Sequence, residues 1–226
     1  MTFFVGFGGN PHVGRIHFTG EDGQLKRLKL TRDPNDKTKC LMETSPFRVQ
    51  NLQKKHFMSD QAMNNYFKDA NKLPTVSVNC KTDPIPDKPL RDAYNVMNDA
   101  YYFVYHSLRM FNRYNLTVTN KKLDVWVNFT ETTGGNAAAF LNYIVINNGG
   151  RRFYPLTSYP DVLAHELGHT FTRSHSDLEY REESGGMNEA YSDMCGIAFK
   201  HHLHDDYNWI VGEKAFRSDT APNGLR

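Results

Sequence analysis

The chain has 226 residues, with 27 Lys and Arg against 25 Asp and Glu, a formal net charge of +2, and 39% hydrophobic and 13% aromatic residues. That content suffices for a packed core and argues against disorder, while a near-balanced charge without like-sign blocks points to neither a nucleic-acid nor an anionic-membrane partner. No stretch approaches the ~20 apolar residues of a membrane span. Met1 to Gly9 is apolar but lacks a basic n-region and a small-residue cleavage site, so an export signal is expected only in a precursor segment.

In chain order, Arg15-Ile16-His17-Phe18, Leu25 to Leu30 and Thr75 to Val78 are short alternating runs between Gly, Asp, Asn and Pro turns, and they predict strands. Lys81 to Lys88, with Pro84 and Pro86, predicts a connector. From Leu90 to Phe111, Ala93, Met97, Ala100, Val104, Leu108 and Phe111 recur every three or four residues, the pattern of a long amphipathic helix. Leu123, Val125, Val127 and Phe129 alternate strictly and predict a strand, with another over Asn142 to Ile146 and a loop at Gly149-Gly150. Pro160-Asp161 predicts the start of a helix running to about Ser174, since Pro suits the first helical turn and a carboxylate there complements the dipole. A third helix is expected from Asn188 to His202. The layout is α+β: a β-rich region over residues 1–90, then a helix and edge-strand region over 91–226.

The three cysteines, Cys40, Cys80 and Cys195, are an odd number, so at least one is free or paired to another chain. Cys195 falls among apolar helix residues, where a buried inert thiol is expected. Cys40 and Cys80 lie in strand-like segments, and the residues alone leave their pairing open.

The decisive string is Val162-Leu163-Ala164-His165-Glu166-Leu167-Gly168-His169-Thr170. Histidines four apart on a helix sit one turn apart on one face, so both imidazoles reach one metal, and Glu166 projects from nearly the same face toward a metal-bound water. The bland reading is a helix with two hydrogen-bonded histidines. A catalytic zinc also needs a third protein ligand and an open fourth position. Glu189 and Asp193 share a helix face downstream, within Gly185-Gly186-Met187-Asn188-Glu189-Ala190-Tyr191-Ser192-Asp193. One carboxylate there serves as ligand while the other accepts the second ring N–H of a ligand histidine. The run His201, His202 and His204 with Asp205 and Asp206 reads as an ordinary helix C-terminus before it reads as a second metal site.

His-Glu-x-x-His followed, with nineteen residues between, by Glu within Asn-Glu-Ala-x-Ser-Asp resembles the signature of the thermolysin-like metalloendopeptidases, in particular their vibriolysin and pseudolysin branch. Gly8 to Gly14, Asn98-Asp99-Ala100 and Phe153-Tyr154-Pro155-Leu156 are similar to further segments of that branch. The resemblance implies a secreted enzyme with one catalytic Zn2+ on His165, His169 and Glu189, Glu166 as general base, Tyr180 as oxyanion donor and Asp193 orienting His165. It implies a Cys40–Cys80 disulfide, and protein and peptide substrates cut on the amino side of bulky hydrophobic residues. Substrate contacts are implied for Asn136 and Ala137 on an edge strand, for Phe153, Leu156, Val162 and Leu225 in the first primed pocket, and for Arg226 on a primed carbonyl.

The chain departs from the pattern in three places. Ala138 and Ala139 replace two aromatic positions of the edge strand. The family's helical C-terminal lobe, with a second oxyanion-stabilising histidine, is expected to be absent or on another chain. Ile197 and Lys200 stand where the family's structural calcium site has carboxylates, leaving Asp161, Asn208 and Glu213, so Ca2+ is doubtful and the Lys200 ammonium is expected to pair with Asp161. Three rivals follow. A gluzincin aminopeptidase would place its third ligand one residue nearer and carry an upstream acidic motif that is not found. A zinc-stabilised binding module would not need Glu166. The last is a weak or inactive zinc-binding fragment of the peptidase.

Overall fold

The structure is a computed structural model that describes residues 2–5, 7–10, 12–17, 27–67, 73–80, 93–131, 135–150, 152–176, 178–204 and 208–217. Among them the N-terminal elements are β1 (Thr2–Val5), β2 (Phe7–Asn10), β3 (Gly14–His17), β4 (Arg27–Arg32), β5 (Lys39–Leu41), β6 (Phe47–Phe57), α1 (Asp60–Phe67) and β7 (Ser77–Asn79). They are followed by α2 (Ala93–Arg113), β8 (Leu123–Glu131), β9 (Ala137–Ala139), β10 (Tyr143–Ile146), α3 (Pro160–His175) and α4 (Glu182–His204). The α+β layout is the one expected: strands first, long helices after. The expected connector at residues 81–88 lies outside the described residues.

A four-stranded antiparallel sheet runs β1-β4-β5-β7, and β2 and β3 form a separate hairpin. Within that sheet Cys40 and Cys80 form a disulfide with Cα atoms 5.2 Å apart. Cys195 is free and buried, and burial pushes its thiol up to about 11, so it is inert as expected.

The second sheet positions the site. Its order is β6-β8-β10-β9, with β6, β8 and β10 parallel and β9 antiparallel at the edge. Successive residues of a strand face opposite sides, and both sides of this sheet are covered. Val125, Val127, Ile144 and Ile146 join α2 and α3 in the main core, through Ala100, Val104, Leu108, Leu163 and Leu167. Trp126, Val145, Leu52 and Phe57 join Met63 and Phe67 of α1 on the other side. Among the described residues β9 pairs with β10 alone, and α3 packs beside it.

Strict alternation places Phe129 with Leu123, Val125 and Val127, but Phe129 packs in the second cluster with Trp126. The cause is Asn128, whose φ of 65° turns the strand over. The partner strand makes the matching irregularity: Gln53 and Lys54 have φ of 54° and 61°, and the register slips between Asn51 and Lys55. Asn51 staples the two bulges, its Oδ1 accepting from Gln53 N at 2.8 Å and from Asn128 Nδ2 at 2.7 Å. This broken period is why β6 escaped the sequence reading. The third helix also corrects an expectation, beginning at Glu182 rather than Asn188. Glycines disfavour helices when exposed, but Gly185 is buried, and a Cβ there would lie 3.3 Å from the Tyr180 carbonyl carbon, so the close approach decides.

The Cys40–Cys80 bridge closes a loop across forty residues. Replacing both cysteines by serine is expected to lower stability by about 2–4 kcal/mol, read as a shifted urea midpoint at unchanged slope.

Candidate metal centre

Helix α3 is buried at every residue from Pro160 to Thr170. Pro160 lies in its first turn with Asp161, and the apolar Val162, Leu163 and Leu167 anchor it in the main core. That packing leaves His165, Glu166 and His169 to face a cleft against α4, where they are 8%, 6% and 9% exposed. From α4 come the buried Asn188, Glu189 and Ser192 and the half-buried Asp193.

The helices approach so closely because glycine stands at both crossings. A Cβ on Gly168 of α3 would lie 2.8 Å from Ser192 Cα of α4, and one on Gly196 of α4 would lie 2.6 Å from the Asp161 carbonyl oxygen of α3. Both obstacles are backbone, so neither can swing aside.

The Nε2 atoms of His165 and His169 are 2.9 Å apart, and each is 3.4 Å from Glu189 Oε2. Three atoms bound tetrahedrally at the ~2.0–2.1 Å distances of a zinc site lie about 3.3 Å from one another, so this triangle has the size such an ion requires. The other ring nitrogens settle which atoms face inward. Nδ1 of His165 lies 2.8 Å from Asp193 Oδ1 and donates to it. Nδ1 of His169 lies 2.6 Å from Asn188 Oδ1 and 3.0 Å from Ser192 Oγ, and donates to the amide oxygen. With both Nδ1 atoms protonated, two imidazole lone pairs and a carboxylate oxygen converge on one point. Three lone pairs directed together in a buried site repel one another unless a cation lies between them. The residues therefore fit a metal ion, and they form the one cluster of this kind among the described residues.

Burial opposes a charge on His165, but the hydrogen bond to Asp193 and the carboxylates of Glu166, Asp193 and Glu189 outweigh it and hold the pKa above the ordinary value. The same negative field favours a bound cation, which would displace that proton.

The cleft over the triad, of about 440 Å³, is lined by Asn136 to Phe140, by Leu156, Val162 and Val211, and by Arg173, Tyr180 and Asp193 around the metal residues. Asn136, Ala137, Leu156 and Val162, for which the sequence reading expects substrate contacts, are among these lining residues. Tyr180 lines the cleft too, 57% exposed and with its ring 6.0 Å from that of His169. Phe153 does not line it: its backbone bridges to Phe216 and its ring packs on that residue at 4.8 Å. Leu225 and Arg226 lie outside the described residues. Asn188 and Ser192, which grip His169, and the two crossing glycines were missed in sequence. Asn188 and Ser192 bracket Glu189 at a spacing of four, a signal that was on the page.

At the N-terminal end of α3, Asp161 is 4% exposed and Lys200 of α4 is 7% exposed. Lys200 Nζ donates to the Ile210 carbonyl at 2.9 Å and lies 3.9 Å from Asp161 Oδ2, which also accepts from Gly212 N at 2.8 Å. Burial pushes the Asp161 carboxyl up, and the Gly212 N–H, the Lys200 ammonium and the Val162 N–H only partly offset it. Asn208 donates instead to Glu213, at 2.5 Å.

Two outcomes follow. Gly168→Ala is expected to cost about 1–3 kcal/mol, as overpacking does, and to lower bound zinc per chain, measured by thermal unfolding and elemental analysis. Lys200→Ala, which leaves a buried carboxylate without its cation, is expected to cost about 3–5 kcal/mol, measured by urea unfolding.

Three relatives match 98% of this chain: the "Neutral protease" of Vibrio proteolyticus at 31% identity, the "Zinc metalloproteinase MspA" of Legionella longbeachae at 32% and the "Hemagglutinin/proteinase" of Vibrio cholerae at 31%. The chain spans only 33%, 40% and 33% of their respective lengths. Among solved structures, the precursor of protealysin, a metalloproteinase from Serratia proteamaculans, superposes with a TM-score of 0.56 at 21% identity, over 80% of this chain and 52% of that one, which is a likeness of fold. Residues 176–226 match the family model for the thermolysin metallopeptidase α-helical domain, so α4, which supplies Glu189, lies in the matched segment. The same residues that bring a carboxylate to the two imidazoles are those the family model covers, and the zinc-proteinase relatives align along almost all the rest: the chain is similar to the thermolysin family of metallopeptidases.

Proposed function

We propose that this chain forms the zinc-binding core of a metalloendopeptidase. The observation that carries the reading is the triangle of Nε2, Nε2 and Oε2 atoms at 2.9–3.4 Å at the floor of an open cleft. His165, His169 and Glu189 would hold zinc, leaving the fourth position to the cleft. The ion supplies a Lewis acid and lowers the pKa of a bound water. Everything else falls to the chain's own side chains.

Glu166 is buried beside the triad and takes the attacking water's proton, then delivers it to the leaving amine. Tyr180 is exposed at the cleft wall and donates its hydroxyl to the charge that grows on the scissile carbonyl oxygen. Asp193 holds the His165 tautomer through Nδ1, and Asn188 does so for His169. The free edge of β9 offers backbone groups of Asn136 and Ala137 to an extended substrate by strand addition. Leu156, Val162 and Val211 form the apolar end of the cleft, which suits a bulky hydrophobic side chain just after the scissile bond. The substrates on this reading are proteins and peptides.

The disulfide fits an oxidising compartment, which supports secretion, and no described helix is long and apolar enough to cross a membrane. Lys200 lies beside Asp161, its Nζ 3.9 Å from Oδ2, and on that ground we assign zinc and no structural calcium to this part of the chain.

Casein hydrolysis is expected to stop with a zinc chelator, to return with added zinc, and to fall by about 100- to 10,000-fold in Glu166→Gln at unchanged zinc content. Asp193→Asn is expected to weaken zinc binding by about 10- to 100-fold, measured by competition with a chelating dye. Millimolar calcium is expected to leave the melting temperature of the zinc-loaded protein unchanged; a calcium-dependent rise abolished by Asp161→Ala would refute the assignment.

A further inference from the structure

Along α3 the cleft residues Val162, His165, Glu166 and His169 are followed one turn later by Arg173. A residue four positions on lies on the same helical face, and Arg173 lines the same cleft. It is exposed, and among the described lining residues it is the single lysine or arginine. Its guanidinium lies 6.0 Å from the ring of Phe140, which in turn stacks on Tyr143 at 4.4 Å. Two of the cleft carboxylates are otherwise engaged: Asp193 pairs with His165, and Glu189 faces both imidazoles. None of the ion pairs among the described residues includes Arg173.

The direction in which a peptide adds to β9 decides which part of it meets this charge. A peptide added antiparallel to β9 runs opposite to the direction Ala137 to Ala139. Its N-terminal residues then lie beside Ala139 and Phe140, and its C-terminal residues beside Asn136, toward Leu156 and Val162. Arg173 therefore faces the N-terminal side. It stands four residues beyond His169 and eight beyond His165, a rise of about 6 and 12 Å along the helix. An extended peptide advances ~3.3 Å per residue, so the charge falls about two or three residues before the scissile bond.

We propose that Arg173 is a specificity-determining residue that selects peptides with Asp or Glu two or three residues before the scissile bond. The inference rests on the peptidase reading above, because that reading fixes where the bond to be cut must lie. Arg173 acts through charge at the N-terminal end of the cleft and leaves the apolar end to choose the residue after the bond.

The test uses the full zinc-loaded chain and peptides alike except for Glu, Gln or Lys at those two positions. Two measurements run in parallel: kcat/KM for each peptide, and fluorescence anisotropy of the same labelled peptides on Glu166→Gln, which binds without turnover. The Glu peptide is expected to exceed the Lys peptide by about five- to tenfold in both, through KM and Kd, with the ratio shrinking as salt is raised. In Arg173→Glu the order is expected to invert, and in Arg173→Gln to flatten. Glu, Gln and Lys peptides that are cleaved and bound alike, or an acidic preference that survives Arg173→Glu, would overturn the role of Arg173 while leaving the peptidase reading intact. No cleavage of any peptide, with charge-ordered binding retained, would overturn the peptidase reading instead. Peptides neither bound nor cleaved would overturn both.

Discussion

Three lone pairs pointing at one another govern this structure. Nε2 of His165, Nε2 of His169 and Oε2 of Glu189 converge within 2.9–3.4 Å inside a buried helix pair. Uncompensated, the arrangement is costly, because a neutral imidazole turns its proton inward only by losing the bond its Nδ1 makes to Asp193 or Asn188. A divalent ion converts that repulsion into coordination, and binding it also holds α3 against α4. The stability of this helix pair and its chemistry therefore have a common origin.

The rest of the fold serves that convergence. α3 is packed against α2 and the β8–β10 region through Leu163 and Leu167, so its histidines are carried on a rigid element. Gly168 and Gly196 let α4 come close enough for a short carboxylate to reach the imidazoles. At the other end of the crossing, Lys200 and Asp161 pin the segment around Ile210 and Gly212 to the start of α3. Val211 thereby becomes part of the cleft. On the opposite side the edge strand β9, paired among the described residues with β10 alone, faces the same opening. The groups proposed as catalytic lie on helices, while the surface proposed to meet an extended chain is a strand edge, the element best suited to backbone recognition.

Much of this was legible in the sequence, for identifiable reasons. The metal helix announced itself because two histidines one turn apart, with a glutamate beside the first, constrain both geometry and chemistry. α2 and β10 were legible from unbroken apolar periods. What stayed hidden depended on tertiary contact. Asn128 turns β8 over and sends Phe129 to the far face, because two bulges in neighbouring strands fit together through Asn51. The first turns of α4 contain a glycine pair that reads as a loop until its buried side is seen. The grip of Asn188 and Ser192 on His169 needs the partner helix in place. Phe153 pointed elsewhere because Phe216, distant in sequence, supplies its bridge partner.

The account turns on what occupies the point where the two imidazoles and the carboxylate meet. X-ray absorption at the zinc edge of the purified, zinc-loaded chain tests this most directly. The account predicts one tightly bound ion per chain, four-coordinate, with two imidazole nitrogens and oxygen donors at ~2.0–2.1 Å, and with one oxygen donor lost in Glu189→Ala. A spectrum unchanged by Glu189→Ala, or zinc that remains bound to the chain after both His165 and His169 are replaced, would contradict it.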